Sequence, residues 1–270
     1  MAPTRPEKLA CALAIGGVDP GGGAGLAADL RAFQAAGAFG CAVVAVVTVQ
    51  STSGLRSARP LRATEVLAQA REVLGNQRVG AIKTGALGDG ANVRAVAQLL
   101  SRHREIPAVV DPVMLPSRGR SRLLSERGVK DVRTLLLPRA ALVTANVREA
   151  EALTGLRVTT TREATLAAQE LCRLGARAAL VKGGHLLGKD AVDVLAMSDG
   201  EVFELSLPRV EAGLLHGTGC VLASLVAGRM AVKPAERLVE QLRWAKRVHH
   251  AAIVNARDVG GDARVLWPSL

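Results

Sequence analysis

The stretch HGTGCVLASLVA, residues 216–227, places two glycines around a threonine and then a cysteine at the start of an apolar helix. Several backbone N–H groups would converge there at the positive end of the helix dipole, which suits an anion such as phosphate. The same helix start lowers the pKa of a thiol and favours a thiolate at Cys220, whereas a buried, unreactive cysteine is the alternative. A phosphate site beside a potential base predicts phosphoryl transfer.

Short β-branched runs alternate with longer helical patterns across the rest of the chain. The helical patterns lie near 24–37, 64–75, 90–102, 147–154, 161–175, 219–231 and 234–256, and Pro234 suits the first turn of the last helix. Residues 191–206 predict a hairpin around Ser198-Asp199-Gly200. The predicted strands are Ala10–Ile15, Cys41–Val49, Ala81–Thr84, Ala108–Val110, Leu142–Thr144 and Ala178–Val181.

Alternation of this kind predicts an α/β fold with three layers, in which helices cover both faces of a mostly parallel sheet. No linker or compositional break divides residues 1–270, so we expect a single domain. In open parallel sheets, ligands bind beyond the carboxyl ends of the strands. The polar residues that follow each strand are therefore expected to meet at one rim.

Four of these strand ends carry polar groups with a recognisable chemistry. Gln50 offers a donor and an acceptor, which suits the edge of an aminopyrimidine, or it caps its strand. Asp111 suits a metal–phosphate complex, and Lys182 suits the neutralisation of charge on a phosphate. Asn146 and Glu149 form an N-x-x-E pattern that fits a helix capping box and a magnesium site equally well. His185 is expected to be a structural loop residue.

The glycine-rich segment 16–25 allows the backbone to approach a ligand closely. Residues 23–28 also match the G-x-G-x-x-A pattern of a dinucleotide site, which would make the protein an NAD-dependent oxidoreductase. That pattern needs an acidic residue after the second strand, where the chain has Gln50-Ser51-Thr52 instead. We therefore favour a small-molecule loop over a dinucleotide site or a plain turn. Asp29 lies one turn into the next helix. Its side chain either faces the same pocket or is a charge on the solvated face of that helix.

Composition narrows the class of protein and its partners. The chain has 270 residues, of which 49% are apolar and only 2% aromatic, so its core is aliphatic. The formal net charge of +11 would attract phosphate substrates, but few aromatic residues exist to stack on bases, so we expect no nucleic-acid partner. Four separated cysteines predict neither a disulfide framework nor a zinc site. Without a membrane-length apolar run or a signal-peptide pattern, we expect a cytoplasmic protein and no membrane contact.

In order and spacing, the chemistry-bearing segments resemble those of the hydroxymethylpyrimidine/phosphomethylpyrimidine kinases, thiamine-biosynthetic members of the ribokinase-like superfamily. The resemblance spans residues from about 10 to 256. It implies the ribokinase-like fold and ATP-dependent phosphorylation of 4-amino-5-hydroxymethyl-2-methylpyrimidine and then of its monophosphate, usually by a homodimer. The matching segments are ALAIGGVDPGGGAGLAADL (12–30), VTVQST (47–52), IKTGALGD (82–89), VVDPVM (109–114), TANVREAEALTG (144–155), LVKGGH (180–185) and HGTGC (216–220).

The resemblance also implies where the pyrimidine would bind. Gln50 would hydrogen-bond the ring, and Gly17, Asp29 and Ala86 would border its pocket. Cys220 would stand where sugar kinases of the superfamily place an aspartate base.

For ATP, the resemblance implies a second group of residues. Lys182 would contact the phosphates, and Asp111 and Glu149 would help to organise Mg²⁺ through water. The anion hole would be formed by the N–H groups of Gly217, Thr218, Gly219 and Cys220.

The chain departs from the family at several positions near the expected pocket. The family usually has Ser at positions 18 and 21, Met at 86 and Pro at 145, where this chain has Val18, Gly21, Ala86 and Ala145. It usually reads Thr-x-Asn-Thr at 212–215, where this chain reads AGLL. These changes predict a wider, less polar pocket. They leave a pyridoxal kinase and a non-catalytic pyrimidine-sensing module as alternatives.

Overall fold

A computed structural model of the chain describes residues 8–114, 124–184 and 186–269, so His185 and residues 1–7 lie outside it. Its helices are α1 (Gly25–Ala35), α2 (Ala63–Asn76), α3 (Gly90–Arg102), α4 (Glu126–Asp131), α5 (Val147–Thr154), α6 (Thr161–Arg173), α7 (Thr218–Val232) and α8 (Leu238–Val254). Its strands are β1 (Cys11–Val18), β2 (Phe39–Ser51), β3 (Gly54–Pro60), β4 (Val79–Thr84), β5 (Ala108–Val110), β6 (Leu142–Asn146), β7 (Ala178–Lys182), β8 (Asp190–Met197), β9 (Val202–Pro208), β10 (Leu215–His216) and β11 (Arg264–Val265).

Within the described residues, nine strands form one sheet in the order β3-β2-β1-β4-β5-β6-β7-β8-β9. The six strands from β2 to β7 in this order pair in parallel, as predicted. β3 pairs antiparallel with β2 at one edge, and β8 and β9 form the predicted hairpin at the other. β1 reads as a continuous apolar run because both of its faces are covered.

Helices cover both faces of the sheet, which confirms the three-layer prediction. On one face, α1, α7 and α8 pack through residues such as Phe33, Leu222 and Leu242. On the other face, α2 to α6 pack through residues such as Val93 and Leu153. α7 lies against α1, α8 and the central strands, and most of its residues are buried, so it lacks a polar face. No helix in the described part of the chain is long and apolar enough to cross a bilayer.

The last helix begins later than the sequence predicts. Pro234 lies before α8 rather than in its first turn, since the helix starts at Leu238. The Glu236 N–H donates to the Lys233 carbonyl, and the Glu236 carboxylate accepts from Arg229 at 2.7 and 2.8 Å. These bonds hold residues 233–236 in a turn, so α8 begins only after that turn.

Several further elements have no counterpart in the sequence prediction: β3, α4 with the irregular helix after it, β10 and β11. β3 is an exposed edge strand with almost no alternation, so its pattern does not distinguish it from a loop. After α4, Val132–Leu136 and Leu137–Arg139 continue as irregular helix. β10 and β11 are two residues each, too short for any periodicity, and together they bring the C-terminal segment against His216.

Candidate active site

A cleft opens at the carboxyl ends of the parallel strands. The structure therefore brings together five of the predicted site residues, which the chain draws from four separate segments. The cleft is lined by Gly16, Gly17, Val18, Asp19, Ala24, Gly25, Asp29, Thr48, Gln50, Lys83, Gly85, Ala86, Val113 and Cys220. Gly17, Asp29, Gln50, Ala86 and Cys220 are the predicted ones among them.

The start of α7 forms one wall of this cleft. Gly217 precedes the helix with φ +80°, and a Cβ at this position would lie 2.0 Å from the Gly23 carbonyl oxygen. Only glycine fits there, because both the backbone conformation and the contact exclude a side chain. The helix start is thereby packed directly against the glycine-rich loop before α1. No side chain caps the first N–H groups of α7, which leaves them available for an anion.

Cys220 lies in the first turn of α7, but its thiol does not have the lowered pKa that the helix start predicts. Burial raises the pKa of Cys220 to about 11, and the positive charge of Lys83 only partly opposes this rise. The expectation of a thiolate at neutral pH is therefore wrong, because burial of the sulfur and the nearby charges of Asp111 and Asp29 all disfavour the thiolate.

Because its pKa is raised, the Cys220 thiol should be alkylated slowly at neutral pH. We expect the iodoacetamide rate at pH 7.5 to be at least about tenfold below that of a cysteine in a model peptide, because so little thiolate exists. The rate should then rise steadily towards pH 11. Peptide mass spectrometry over a pH series measures it for each cysteine, with the model peptide as control. Full reaction of Cys220 at the peptide's rate would contradict the assignment.

A buried ion pair lies beneath the cleft. The Lys83 Nζ donates to Asp29 Oδ1 at 2.8 Å, and both side chains are 1% exposed. Ser224 Oγ donates to the same oxygen at 2.8 Å. Burial alone would lower the pKa of Lys83, but the negative charges of Asp29, Cys220 and Asp111 together outweigh it and raise that pKa. Asp29 is thus a buried pocket residue and not a solvated helix charge.

A second polar cluster joins the glycine-rich loop to the strand before α7. Asp19 accepts from the backbone N–H groups of Gly21 and Ala24, at 2.9 and 2.8 Å. Its carboxylate lies 2.8 Å from His216 Nε2, and the side-chain amide nitrogen of Gln50 lies 3.2 Å from the same atom. Burial alone would raise the pKa of Asp19, but these hydrogen bonds outweigh it and lower the pKa. Gln50 therefore lies against the His216 ring while its side chain borders the cleft.

Lys182, Asp111 and Glu149 meet beside the start of α7. Lys182 Nζ donates to Asp111 Oδ1 at 3.2 Å, and a Cβ at Gly219 would lie 3.2 Å from the same Nζ. Burial alone would lower the pKa of Lys182, but the charges of Asp111 and Glu149 outweigh burial and raise it. The predicted phosphate, lysine and carboxylate positions thus converge.

Glu149 and Asn146 form the predicted capping box. Only one of the two Glu149 carboxylate oxygens takes part in it. Its Oε2 accepts from the Asn146 N–H at 2.9 Å, and its own N–H donates to Asn146 Oδ1 at 2.9 Å. Burial raises the pKa of Glu149 to about 7, an effect that Lys182 opposes and Asp111 supports. The charges of Asp111 and Glu149 therefore disfavour each other, and a cation near both carboxylates would relieve this repulsion.

The described residues contain no group of three or more acidic, histidine or cysteine side chains able to enclose a metal. Asp111 and Glu149 alone still fit Mg²⁺, because this ion keeps several waters and binds through one or two carboxylates together with substrate phosphates.

The sequence prediction assigned no role to three residues that the structure places at the site. Lys83 lies at the end of an apolar strand and Asp19 follows Gly17-Val18, so both stand where polar residues were expected to meet at the rim. Buried partners give them their importance, and those partners are 54 and 197 residues away in the chain. His216 was part of the opening motif, but only the fold shows that its ring contacts Asp19 and Gln50.

The fold and the site together define a small-molecule kinase with the ribokinase-like fold. A model of the phosphomethylpyrimidine kinase family matches residues 19–266. The chain is 41% identical to a hydroxymethylpyrimidine/phosphomethylpyrimidine kinase of Streptomyces coelicolor, over 96% of this chain and 94% of that protein. The chain therefore belongs to the phosphomethylpyrimidine kinase family and is a phosphotransferase.

Solved structures show the same fold. A Bacillus subtilis pyridoxal kinase in complex with ADP superimposes with a TM-score of 0.87 at 27% identity, covering 96% of this chain and 97% of that one. A phosphomethylpyrimidine kinase of Clostridium difficile superimposes with a TM-score of 0.78 at 28% identity, covering 90% and 99%.

Proposed function

We propose that this protein transfers the γ-phosphate of ATP to 4-amino-5-hydroxymethyl-2-methylpyrimidine, and then phosphorylates the resulting monophosphate, in thiamine biosynthesis. The observation that carries the proposal is the shared cleft of Gln50, Asp29 and Cys220 at the start of α7. A ring held at Gln50 would present its hydroxymethyl group towards the phosphate site.

The pyrimidine side of the cleft has one directional polar group and several small residues. Gln50 would hydrogen-bond the aminopyrimidine edge, and the neighbouring His216 ring would limit the positions that its amide can take. Gly17 and Ala86 would border the ring, and Asp29 would lie near the hydroxymethyl group. Ala86, where the family usually has methionine, leaves space beside the ring.

The phosphate side would bind the γ-phosphate through backbone donors and one lysine. The uncapped N–H groups of Gly217, Thr218, Gly219 and Cys220 would hold the charge that develops in transfer. Lys182 would contact the phosphates from beside this helix start. Asp111 and Glu149 would hold Mg²⁺ through water, and this ion would supply neutralisation of the phosphate charge.

In the transfer step, the hydroxymethyl oxygen forms a bond to the γ-phosphorus. The bond from that phosphorus to the oxygen bridging to the β-phosphate breaks, and ADP leaves. The hydroxyl proton departs late, so a weak acceptor suffices. Cys220, as the small fraction of thiolate present at neutral pH, would accept this proton.

The decisive experiment incubates the protein with the hydroxymethylpyrimidine, ATP and Mg²⁺, and detects the mono- and diphosphate by mass spectrometry. A folded protein that forms neither product would contradict the proposal and favour a pyrimidine-sensing role.

Pyridoxal is the second candidate substrate. The structural likeness to the Bacillus subtilis pyridoxal kinase and the small side chain of Ala86 favour it. We expect kcat/KM for the hydroxymethylpyrimidine to exceed that for pyridoxal, in parallel assays at saturating ATP. The reverse order would make pyridoxal kinase the better description.

Replacing Lys182 with methionine should lower kcat by roughly 10²- to 10³-fold, because a charge aimed at the transferring phosphate is lost. The exposed Lys189, on the loop that follows, offers a matched control, since Lys189→Met makes the same change in charge. Steady-state kinetics at saturating ATP and pyrimidine measure both variants. Equal activity of the two would remove Lys182 from the phosphate site.

We also propose a single domain for residues 1–270, a cytoplasmic location and a homodimer. One sheet that runs from Cys11 to Pro208 supports the single domain. The exposed apolar side chains of Val47 and Val49, two residues apart on β2, support an association surface. Light scattering of the purified protein measures its oligomeric state. For the partners, ATP and the pyrimidine remain the only ligands proposed, with no nucleic acid and no membrane.

A further inference from the structure

We propose that helix α8 braces the phosphate site and that Asp193, Lys246 and His249 are positioning residues for the nucleotide. This inference rests on the proposed function in taking the Lys182 loop and the start of α7 as the phosphate site. None of the three residues lines the cleft. Each acts through a backbone group of an element that does border the phosphate site.

The first contact runs from α8 to the loop that follows Lys182. Lys246 Nζ, which is largely buried, donates to Asp193 Oδ2 at 2.7 Å and to the Ala191 carbonyl at 2.9 Å. The other oxygen of Asp193 accepts from the Gly183 N–H at 2.9 Å. The residue immediately after Lys182 is thus hydrogen-bonded to a carboxylate that α8 holds in place.

Gly183 has no freedom to adjust if this contact is lost. A Cβ at position 183 would lie 1.7 Å from the Val192 carbonyl oxygen, so the loop backbone passes directly over β8. β8 pairs antiparallel with β7, and its early residues therefore lie beside the carboxyl end of β7. Asp193 is consequently next to the point where Lys182 leaves the sheet.

The second contact runs from α8 to the opposite wall of the site. His249 Nε2 lies 3.0 Å from the carbonyl oxygen of Thr218, the first residue of α7. Burial lowers the pKa of His249 to about 4, so its ring is neutral at pH 7 and the Nε2–H can donate. Lys246 and His249 are three residues apart on α8 and share one face of the helix.

Stability alone does not account for this arrangement. A buried ion pair adds little net stability compared with apolar side chains of similar volume. The Asp193–Lys246 pair and His249 instead fix the distance between the Lys182 loop and the anion-binding N–H groups of α7. Phosphoryl transfer depends on that geometry, because the protein contributes mainly positioning and charge.

Two matched double variants isolate the Asp193 contact without leaving an unpaired charge. Asp193→Asn/Lys246→Met keeps a side-chain oxygen for the Gly183 N–H, whereas Asp193→Leu/Lys246→Met removes it. We expect the first to bind the ATP analogue AMP-PCP, with Mg²⁺ present, close to the wild-type Kd. The second should bind it roughly tenfold to a hundredfold more weakly. Calorimetry measures both, and thermal melts confirm that both are folded.

His249 allows the same comparison on the other wall. His249→Gln keeps an N–H donor near the Nε2 position, whereas His249→Leu does not. We expect His249→Leu to raise KM for ATP and lower kcat while KM for the pyrimidine stays unchanged, and His249→Gln to recover most of the loss. Glu236→Gln is the control, since it weakens a pair with Arg229 at the far end of α7.

The outcomes separate the brace from a merely structural role. Equal AMP-PCP binding by the two folded double variants would overturn the proposal, as would parallel changes in KM for ATP and for pyrimidine. Nucleotide binding needs no pyrimidine, so these results hold even if the wild-type protein phosphorylates another alcohol. A wild-type protein that binds no AMP-PCP would instead refute the proposed function.

Discussion

Replacing Cys220 with alanine is expected to lower kcat by roughly 10²-fold or more, because no group then accepts the hydroxyl proton at the start of α7. Cys220→Asp should retain more activity than Cys220→Ala, since a carboxylate is an adequate acceptor at neutral pH. Steady-state kinetics with the hydroxymethylpyrimidine at saturating ATP measure both variants. Wild-type turnover in Cys220→Ala would show that the cysteine is not the base.

The pH profile gives this prediction a second signature. The Cys220 pKa is about 11. At any pH below this value, raising the pH by one unit increases the thiolate fraction roughly tenfold. Activity that needs the thiolate should therefore rise between pH 7 and 10 in the wild-type protein. In Cys220→Asp the same range should be flat, because the carboxylate is already ionised. A flat wild-type profile would contradict proton transfer to Cys220.

Replacing Lys83 with methionine is expected to lower the free energy of unfolding by about 3–5 kcal/mol, because Asp29 is then buried without its counter-charge. Both side chains are 1% exposed, so water cannot screen the loss. Urea denaturation at pH 7, followed by circular dichroism, measures the change. Lys83→Met should also weaken activity, since the pair lies under the cleft.

A double variant tests whether charge is the cause. Asp29→Asn/Lys83→Met removes both charges, and we expect it to regain most of the stability lost in Lys83→Met. Arg62→Met is the surface control: its partner Glu65 is 44% exposed, and breaking that pair should change stability little. If the double variant were as unstable as Lys83→Met, packing of the lysine stem would be the dominant contribution.

The sequence predicted the central fold well because each parallel strand is buried on both faces. Such strands read as apolar runs, and the helices between them carry clear periodicity; α3 and α5 have the predicted limits of 90–102 and 147–154. β3 shows the limit of this reasoning. It is an exposed edge strand whose hydrogen bonds to β2, and not its side chains, define it.

The site was predictable in its positions but not in its electrostatics. Residues after parallel strands must meet at one rim, and this placed Gln50, Asp29 and Cys220 together. The pKa of Cys220 depends on how deeply the fold buries its sulfur, which one helix start does not reveal. Lys83 and Asp193 are similar cases, since their roles come from partners that are distant in the chain.

The position of α7 has a consequence for synthesis of the protein on the ribosome. This helix covers the middle of one sheet face, yet it comes from the last quarter of the chain. Until it has left the exit tunnel, β1, β4 and β5 expose their apolar side chains, and Asp19 lacks its contact to His216, 197 residues later. The nascent chain must therefore carry an open, aggregation-prone sheet for most of its translation. Slow decoding before α7 emerges would prolong that exposure, so we expect chaperone demand to be highest late in translation.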